Sequence, residues 1–179
     1  MVFIRSRTST NEIMRLESLL SMMPEKCTTV LDAGAKDGFH TVSMAQKFEK
    51  VTALDLSVPE ISIDNVECIA GDIRDLKFDD GHFDLVLCAE VLEHIKPEDL
   101  DKACSELVRV AKKYLLIGVP YKQDTRIGRL KCSNCGRINP PWGHVNEFDK
   151  ESLLSHFPSL KVEKIDLVAR GGKKTNGFV

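Results

Sequence analysis

The sequence predicts an α/β fold, a mostly parallel sheet with helices on both faces, and three observations carry that expectation. Residues 28–33 (Thr-Thr-Val-Leu-Asp-Ala) form a β-branched and aliphatic run that reads as a buried strand. It passes directly into Gly34, Gly38 and an apolar-periodic helix. A second such run, residues 51–56, also ends on an acidic residue, Asp55, 21 positions after Gly34. Further strand-like runs at 66–70, 83–89 and 113–120 follow, the last two separated by a helix-period segment.

In chain order, Ile13, Leu16, Leu19 and Leu20 have helical spacing over residues 10–22, and Pro24 closes that segment. It reads as a packing or lid helix ahead of the sheet. Gly34 and Gly38 let the backbone turn sharply and approach a ligand where a Cβ would intrude. The free N–H groups of the next helix then point at the same place. Phe39, Val42, Ala45 and Phe48 give that helix a buried face. Only a short connection containing Pro59 leads to the third strand, 66–70, so the crossover helix expected there is reduced or lost. The turn Asp79-Asp80-Gly81-His82 introduces the fourth strand. Pro97, Glu98 and Asp99 open a helix well, and Leu100, Ala103, Cys104, Leu107 and Ala111 supply its stripe. After the fifth strand, residues 121–148 form a connection rich in glycine, proline and cysteine, of a length that is usually functional or disordered. Asp149 can cap a short helix through Leu153, Leu154 and Phe157. Residues 160–169 read as a sixth strand and 175–179 as a short last one.

Composition bounds the rest. With 179 residues, 42% hydrophobic and 29% charged, the chain reads as one globular domain over 1–179, with 121–148 as an insertion. A net charge of −2 excludes a global field that draws nucleic acid or anionic membrane. The opening apolar run is too short for a signal peptide and nothing approaches a membrane-spanning length, so a reducing cytoplasm is the expected setting. Cys27, Cys68, Cys88 and Cys104 lie among apolar residues as core thiols, whereas Cys132 and Cys135 form a pair.

The first turn has the spacing Asp-x-Gly-x-x-x-Gly, not the G-x-G-x-x-G of a dinucleotide site. A carboxylate at Asp32 would repel a pyrophosphate and welcome a cationic amino group. The stretch resembles motif I of the class I S-adenosylmethionine-dependent methyltransferases, whose ligand carries an amino group and a sulfonium. Gly71-Asp72-Ile73 resembles that family's adenine-binding turn, and Phe83-Asp84-Leu85-Val86 is a string common in it. The resemblance covers residues 28 to about 120. It implies the Rossmann-like fold of that family, with about six or seven strands, and S-adenosylmethionine as cofactor. It also implies contacts from Asp32, Gly34, Ala35, Gly38, Asp55, Leu56, Asp72, Ile73 and Cys88. Within that set Asp55 would take the ribose hydroxyls, Asp72 the adenine amine and Ile73 a face of the ring.

Methyl transfer to a heteroatom depends mostly on positioning, with a base where the nucleophile must lose a proton. Glu90, Glu93 and His94 are spaced i, i+3 and i+4, which predicts one face of a single helical turn just past the fourth strand. His94, with Glu90, is the candidate catalytic group. The same three side chains suit a divalent cation. The string resembles metal-dependent enzymes that methylate the 3′-terminal ribose of small RNAs, and ubiquinone-pathway O-methyltransferases. The RNA enzymes add a downstream histidine that His144 could match. The alternative is that these residues only orient substrate or cap the turn.

Lys131-Cys132-Ser133-Asn134-Cys135-Gly136 has the shape of a zinc knuckle. His144, and His156 beyond it, could complete a site with Cys132 and Cys135; two free loop thiols, or a redox pair without a thioredoxin-like context, are the alternatives. His144 cannot serve both metals. Asn139-Pro140-Pro141-Trp142 reads as a proline-rich turn. Lys122, Arg126, Arg129, Lys131 and Arg137 outnumber acids in this insertion and suggest an anionic substrate. The expectation is therefore a methyltransferase for a small anionic or hydroxyl-bearing molecule, with an RNA 3′ end next and a non-catalytic binding module as the rival class. No membrane partner is expected.

Overall fold

Strand order follows from which runs are apolar throughout. In the computed structural model, which describes residues 9–168, β1 (Thr29–Ala33), β2 (Lys50–Asp55) and β4 (Phe83–Ala89) are the interior strands of a five-stranded parallel sheet. The half-exposed β3 (Val66–Ala70) and β5 (Ala111–Gly118) form its edges, in the order β3-β2-β1-β4-β5. Continuous apolar runs are what a parallel sheet covered on both faces requires.

The two-residue period of each strand divides the core. Val30, Val51, Leu85 and Leu87 pack under α1 (Thr10–Met22) and α2 (Phe39–Ala45) with Leu19, Met23, Met44 and Phe48. Leu31, Ala33, Val86 and Cys88 face α3 (Pro97–Val110), meeting Leu100, Ala103, Cys104 and Leu107. Ser9 caps α1 by accepting the Glu12 N–H, and α3 begins on Pro97 as its sequence predicts. No helix intervenes between β2 and β3. The order reverses between β1 and β4, so the crevice where ligands bind in such sheets lies beyond the carboxyl ends of those two strands.

The insertion leaves and rejoins the sheet at one place: Tyr121 bridges Phe148, and the Lys122 N–H donates to the Phe148 carbonyl at 2.7 Å. Between them lie a small ribbon of β6 (Leu130–Lys131) and β7 (Ile138–Asn139) and a 3₁₀ turn, Pro141–Gly143. Asp149 and Ser152 cap α4 (Lys150–Ser155) reciprocally, and Phe148 and Phe157 are buried on the α3 side.

The expected sixth strand is not formed over residues 160–168. Its alternating Leu160, Val162, Ile165 and Leu167 are all exposed, and an alternating pattern specifies a strand only where one face finds a core. Residues 175–179 lie outside the described residues. No described helix is long and apolar enough to cross a membrane.

Candidate active site

The ends of β1, β2 and β3 bring three carboxylates to one edge of the sheet. Asp32, the penultimate residue of β1, is 1% exposed, and its Oδ2 accepts the Thr41 hydroxyl of α2 at 2.5 Å. Burial pushes its pKa up to about 6, against the Thr41 hydrogen bond; the charges of Asp55 and Asp37 push it further. An anion in this position is poorly compensated by the protein, which suits a cationic ligand group.

The turn after β1 is fixed by backbone bonds, with the Gly34 and Ala35 N–H groups both donating to the Leu54 carbonyl at 2.7 and 3.0 Å. Gly34 (φ 93°) and Gly38 (φ 77°) are left-handed, where side chains are strained. A Cβ at Gly34 would lie 2.2 Å from Val91 Cγ2, and one at Gly38 2.7 Å from Ile61 Cδ1. The close approach that the glycines permit is thus made in part by Val91 and Ile61.

Asp55 at the end of β2 accepts the Lys36 N–H on Oδ2 (2.8 Å) and the Leu56 N–H on Oδ1 (2.7 Å). Each oxygen keeps a lone pair for a further donor. Leu56 beside it is 76% exposed, an apolar surface left open at the sheet edge. Asp72 accepts Nε and Nη2 of Arg74, whose Nη1 reaches Asp99 at 2.6 Å. The Arg74 guanidinium holds the Asp72 carboxyl below its ordinary value. Ile73 and Cys88 are core residues, at 6% and 0% exposure, and burial drives the Cys88 thiol well up.

Past β4 the expected single helical turn is not formed. Glu90 takes a left-handed φ of 59° because its N–H donates back to Gly118 of β5, and the chain then tightens into a 3₁₀ turn, Leu92–His94. Glu90 therefore leaves the Glu93–His94 group, and its carboxylate lies 3.6 Å from Arg15 of α1. In its place comes His144 from the returning limb of the insertion. Ligand atoms of Glu93, His94 and His144 all lie within 4.8 Å of one another. The His94 and His144 rings meet edge to face at 4.6 Å, and His144 Nε2 lies 4.0 Å from Glu93 Oε1.

Glu93 is sealed from solvent, and neither of its carboxyl oxygens has a hydrogen-bond partner. Burial raises its pKa to about 8, with a further push from Glu90. Burial also lowers the His144 pKa, helped by His94. The limb is held in register by backbone: the Val145 N–H donates to the Glu93 carbonyl at 2.7 Å. The Asn146 amide donates to the carbonyls of Leu92 (2.8 Å) and Ile95 (2.6 Å). Gln123 Oε1 meets His144 Nδ1 at 2.5 Å, fixing the ring so that Nε2 faces Glu93.

His144 is consequently not available to Cys132 and Cys135. Among the described residues no third Cys, His, Asp or Glu ligand atom joins that pair, and His156 is engaged with Asp101 at 2.6 Å. The cysteine–histidine zinc set expected within one chain is not assembled.

Four residues that shape the site escape a reading of the sequence: Thr41, Arg74, Gln123 and Asn146. Only Asn146 leaves a trace there, a polar amide two positions after His144 in an otherwise irregular stretch.

Residues 31–116 match a family described as a methyltransferase domain. A ubiquinone biosynthesis O-methyltransferase of Chromobacterium violaceum is 33% identical over 117 residues, which are 51% of this chain and 50% of that protein. The chain spans about half the length of the curated relatives it matches. A solved S-adenosylmethionine-dependent methyltransferase of Aquifex aeolicus superposes with a TM-score of 0.65 at 22% identity, covering 90% of this chain and 87% of that one. A didemethyltoxoflavin N1-methyltransferase of Burkholderia thailandensis, solved with S-adenosylhomocysteine, gives 0.62 at 19% identity over 80% and 64% of the two chains. Over residues 31–116 the chain is therefore similar to a methyltransferase domain, and its strand order and acidic strand ends are those that the resemblance to the class I S-adenosylmethionine-dependent methyltransferases implies.

Proposed function

We propose that the chain methylates an oxygen of a small hydroxyl-bearing, anionic molecule, using S-adenosylmethionine and a divalent cation held by Glu93, His94 and His144. The observation that carries this reading is the Glu93 carboxyl, sealed from solvent and unpartnered beside two imidazoles. A buried carboxyl without a partner is costly. A cation would offset that cost, and one carboxylate with two imidazoles is a donor set for a borderline divalent metal. The oxygen acceptor is carried over from the curated relatives, which are named O-methyltransferases.

S-adenosylmethionine, when bound, supplies a methyl group on a sulfonium that departs as a neutral thioether. Asp32 meets the ligand's amino group with a carboxylate already oriented by Thr41. Asp55 takes ribose hydroxyls on the lone pairs left over from its two backbone donors. Leu56 covers a face of the base, and Asp72, steadied by Arg74, accepts the exocyclic amine. A divalent cation, when bound, acidifies a hydroxyl that it touches and so removes the need for a strong base. Gln123 and Asn146 hold the donor set, and the excess of basic residues in the insertion is the reason for expecting an anionic acceptor.

The test is methyl transfer before and after chelation, with manganese or magnesium restored, in the wild type and in Glu93→Gln. Activity lost on chelation, regained with metal and low throughout in the variant is expected. Indifference to chelator overturns the cation and leaves the exposed His94 as the acceptor's base. A second substrate, the 3′-terminal ribose of an RNA, is favoured by the meeting of the downstream His144 with Glu93 and His94. Label transfer to a short RNA, abolished by periodate oxidation of that RNA, would select it over a small hydroxyl-bearing molecule.

A further inference from the structure

The feature that the methyltransferase reading leaves unused is the tip of the β6–β7 ribbon. The turn between the strands closes with the Cys132 N–H on the Arg137 carbonyl (2.8 Å) and the Gly136 N–H on the Cys132 carbonyl (2.9 Å). Gly136 is left-handed at φ 71°. At this tip Cys132 is half-buried and Cys135 exposed, both as free thiols. A Cys-x-x-Cys pair on a turn closed by a glycine is what half of a zinc–thiolate centre needs.

A structural zinc takes four ligands, and among the described residues no further ligand atom joins this pair. Cys27, Cys88 and Cys104 are buried in the core, and the Cys68 thiol donates to the Ile61 carbonyl. His82 stacks on Phe78 and Phe83, His40 on Phe39, and the three remaining histidines are committed as described above. Residues 1–8 and 169–179 contain neither cysteine nor histidine. The ribbon also has only two residues in each strand, with Leu130 74% and Ile138 60% exposed. An isolated two-stranded hairpin is at best marginal in water; a metal at its tip and a second ribbon beside it would stabilise it.

We propose that two copies of this chain share one zinc ion, each contributing Cys132 and Cys135. All four thiols lose their protons to solvent as the ion binds, which makes assembly weaker at low pH. Four thiolates on one zinc carry a net double negative charge. Lys131 and Arg137, which flank the knuckle in each copy, oppose that charge and limit their own mutual repulsion.

The experiment is a cadmium titration of the reduced chain, read by thiolate-to-metal charge-transfer absorption, with mass followed by light scattering. That absorption reports sulfur ligands alone, so a cation at Glu93 does not contribute. The expected result is saturation at one ion for two chains together with a doubling of mass. A zinc-loaded sample should behave alike and return to monomers with a strong chelator. Cys132→Ser and Cys135→Ser should abolish both signals while the heat of S-adenosylmethionine binding stays unchanged, which shows the domain intact. Saturation at one ion per chain in a monomer, no charge-transfer band, or a dimer that survives both serine variants would overturn the proposal.

Discussion

Replacing Asp32 with Asn leaves an oxygen to accept the Thr41 hydroxyl and removes only the ionisation. In the folded chain Asp32 titrates at about 6, against 3.8 for a free side chain. Between those values the folded form holds a proton that the unfolded form has released. Asp32 therefore costs stability as pH rises through that window, and the full cost is in place above about pH 6. The gap corresponds to about 3 kcal/mol. Asp32 is buried, so solvent screening does not reduce it much. Carboxylates held low by partners, such as Asp72 and Glu106, change stability in the opposite sense as pH rises. The comparison that isolates Asp32 is thus wild type minus variant. Urea unfolding at pH 4 should give similar stabilities, and at pH 7 the variant should be more stable by about 3 kcal/mol. The same anion should attract the ligand's ammonium. Wild-type affinity for S-adenosylmethionine should rise about tenfold per pH unit toward 6 and then level off, whereas the variant binds weakly throughout. Equal stabilities at pH 7, or calorimetry showing undiminished affinity in the variant, would refute the assignment of Asp32 to the amino group.

Two further perturbations separate the halves of the site. Gly34→Ala combines a left-handed φ of 93° with a Cβ 2.2 Å from Val91 Cγ2, and should cost about 2–4 kcal/mol in chemical denaturation. Asn146→Ala strips two hydrogen bonds from the Leu92–Ile95 turn. It should cost about 1–3 kcal/mol and weaken the activating effect of divalent metal, with S-adenosylmethionine affinity unchanged by calorimetry.

The sheet was legible because its interior strands are unbroken apolar runs that end on polar turns. Asp32 and Asp55 could be located for the same reason: in a parallel sheet the strand end fixes the position of the side chain. Legibility failed where tertiary contacts chose between local options. Helical spacing grouped Glu90 with Glu93 and His94, but the backbone bond to Gly118 turned Glu90 aside. No local pattern could say whether His144 serves the cysteines or the glutamate, since that depends on where a long insertion returns. Arg74 was silent because an arginine two residues from Asp72 could equally point to solvent. The alternation in 160–167 gave a strand signal without a burial partner to realise it.

The returning limb of the insertion delivers His144 and secures the Glu93 turn, while the proposed cofactor contacts belong to the sheet. Donor binding and acceptor activation therefore rest on layers of unequal resilience. Local opening of residues 121–148, or a single proteolytic nick in them, would leave a particle that still captures S-adenosylmethionine yet transfers nothing. Amide exchange at Val145 would then time the loss of turnover while the strands beneath stay protected.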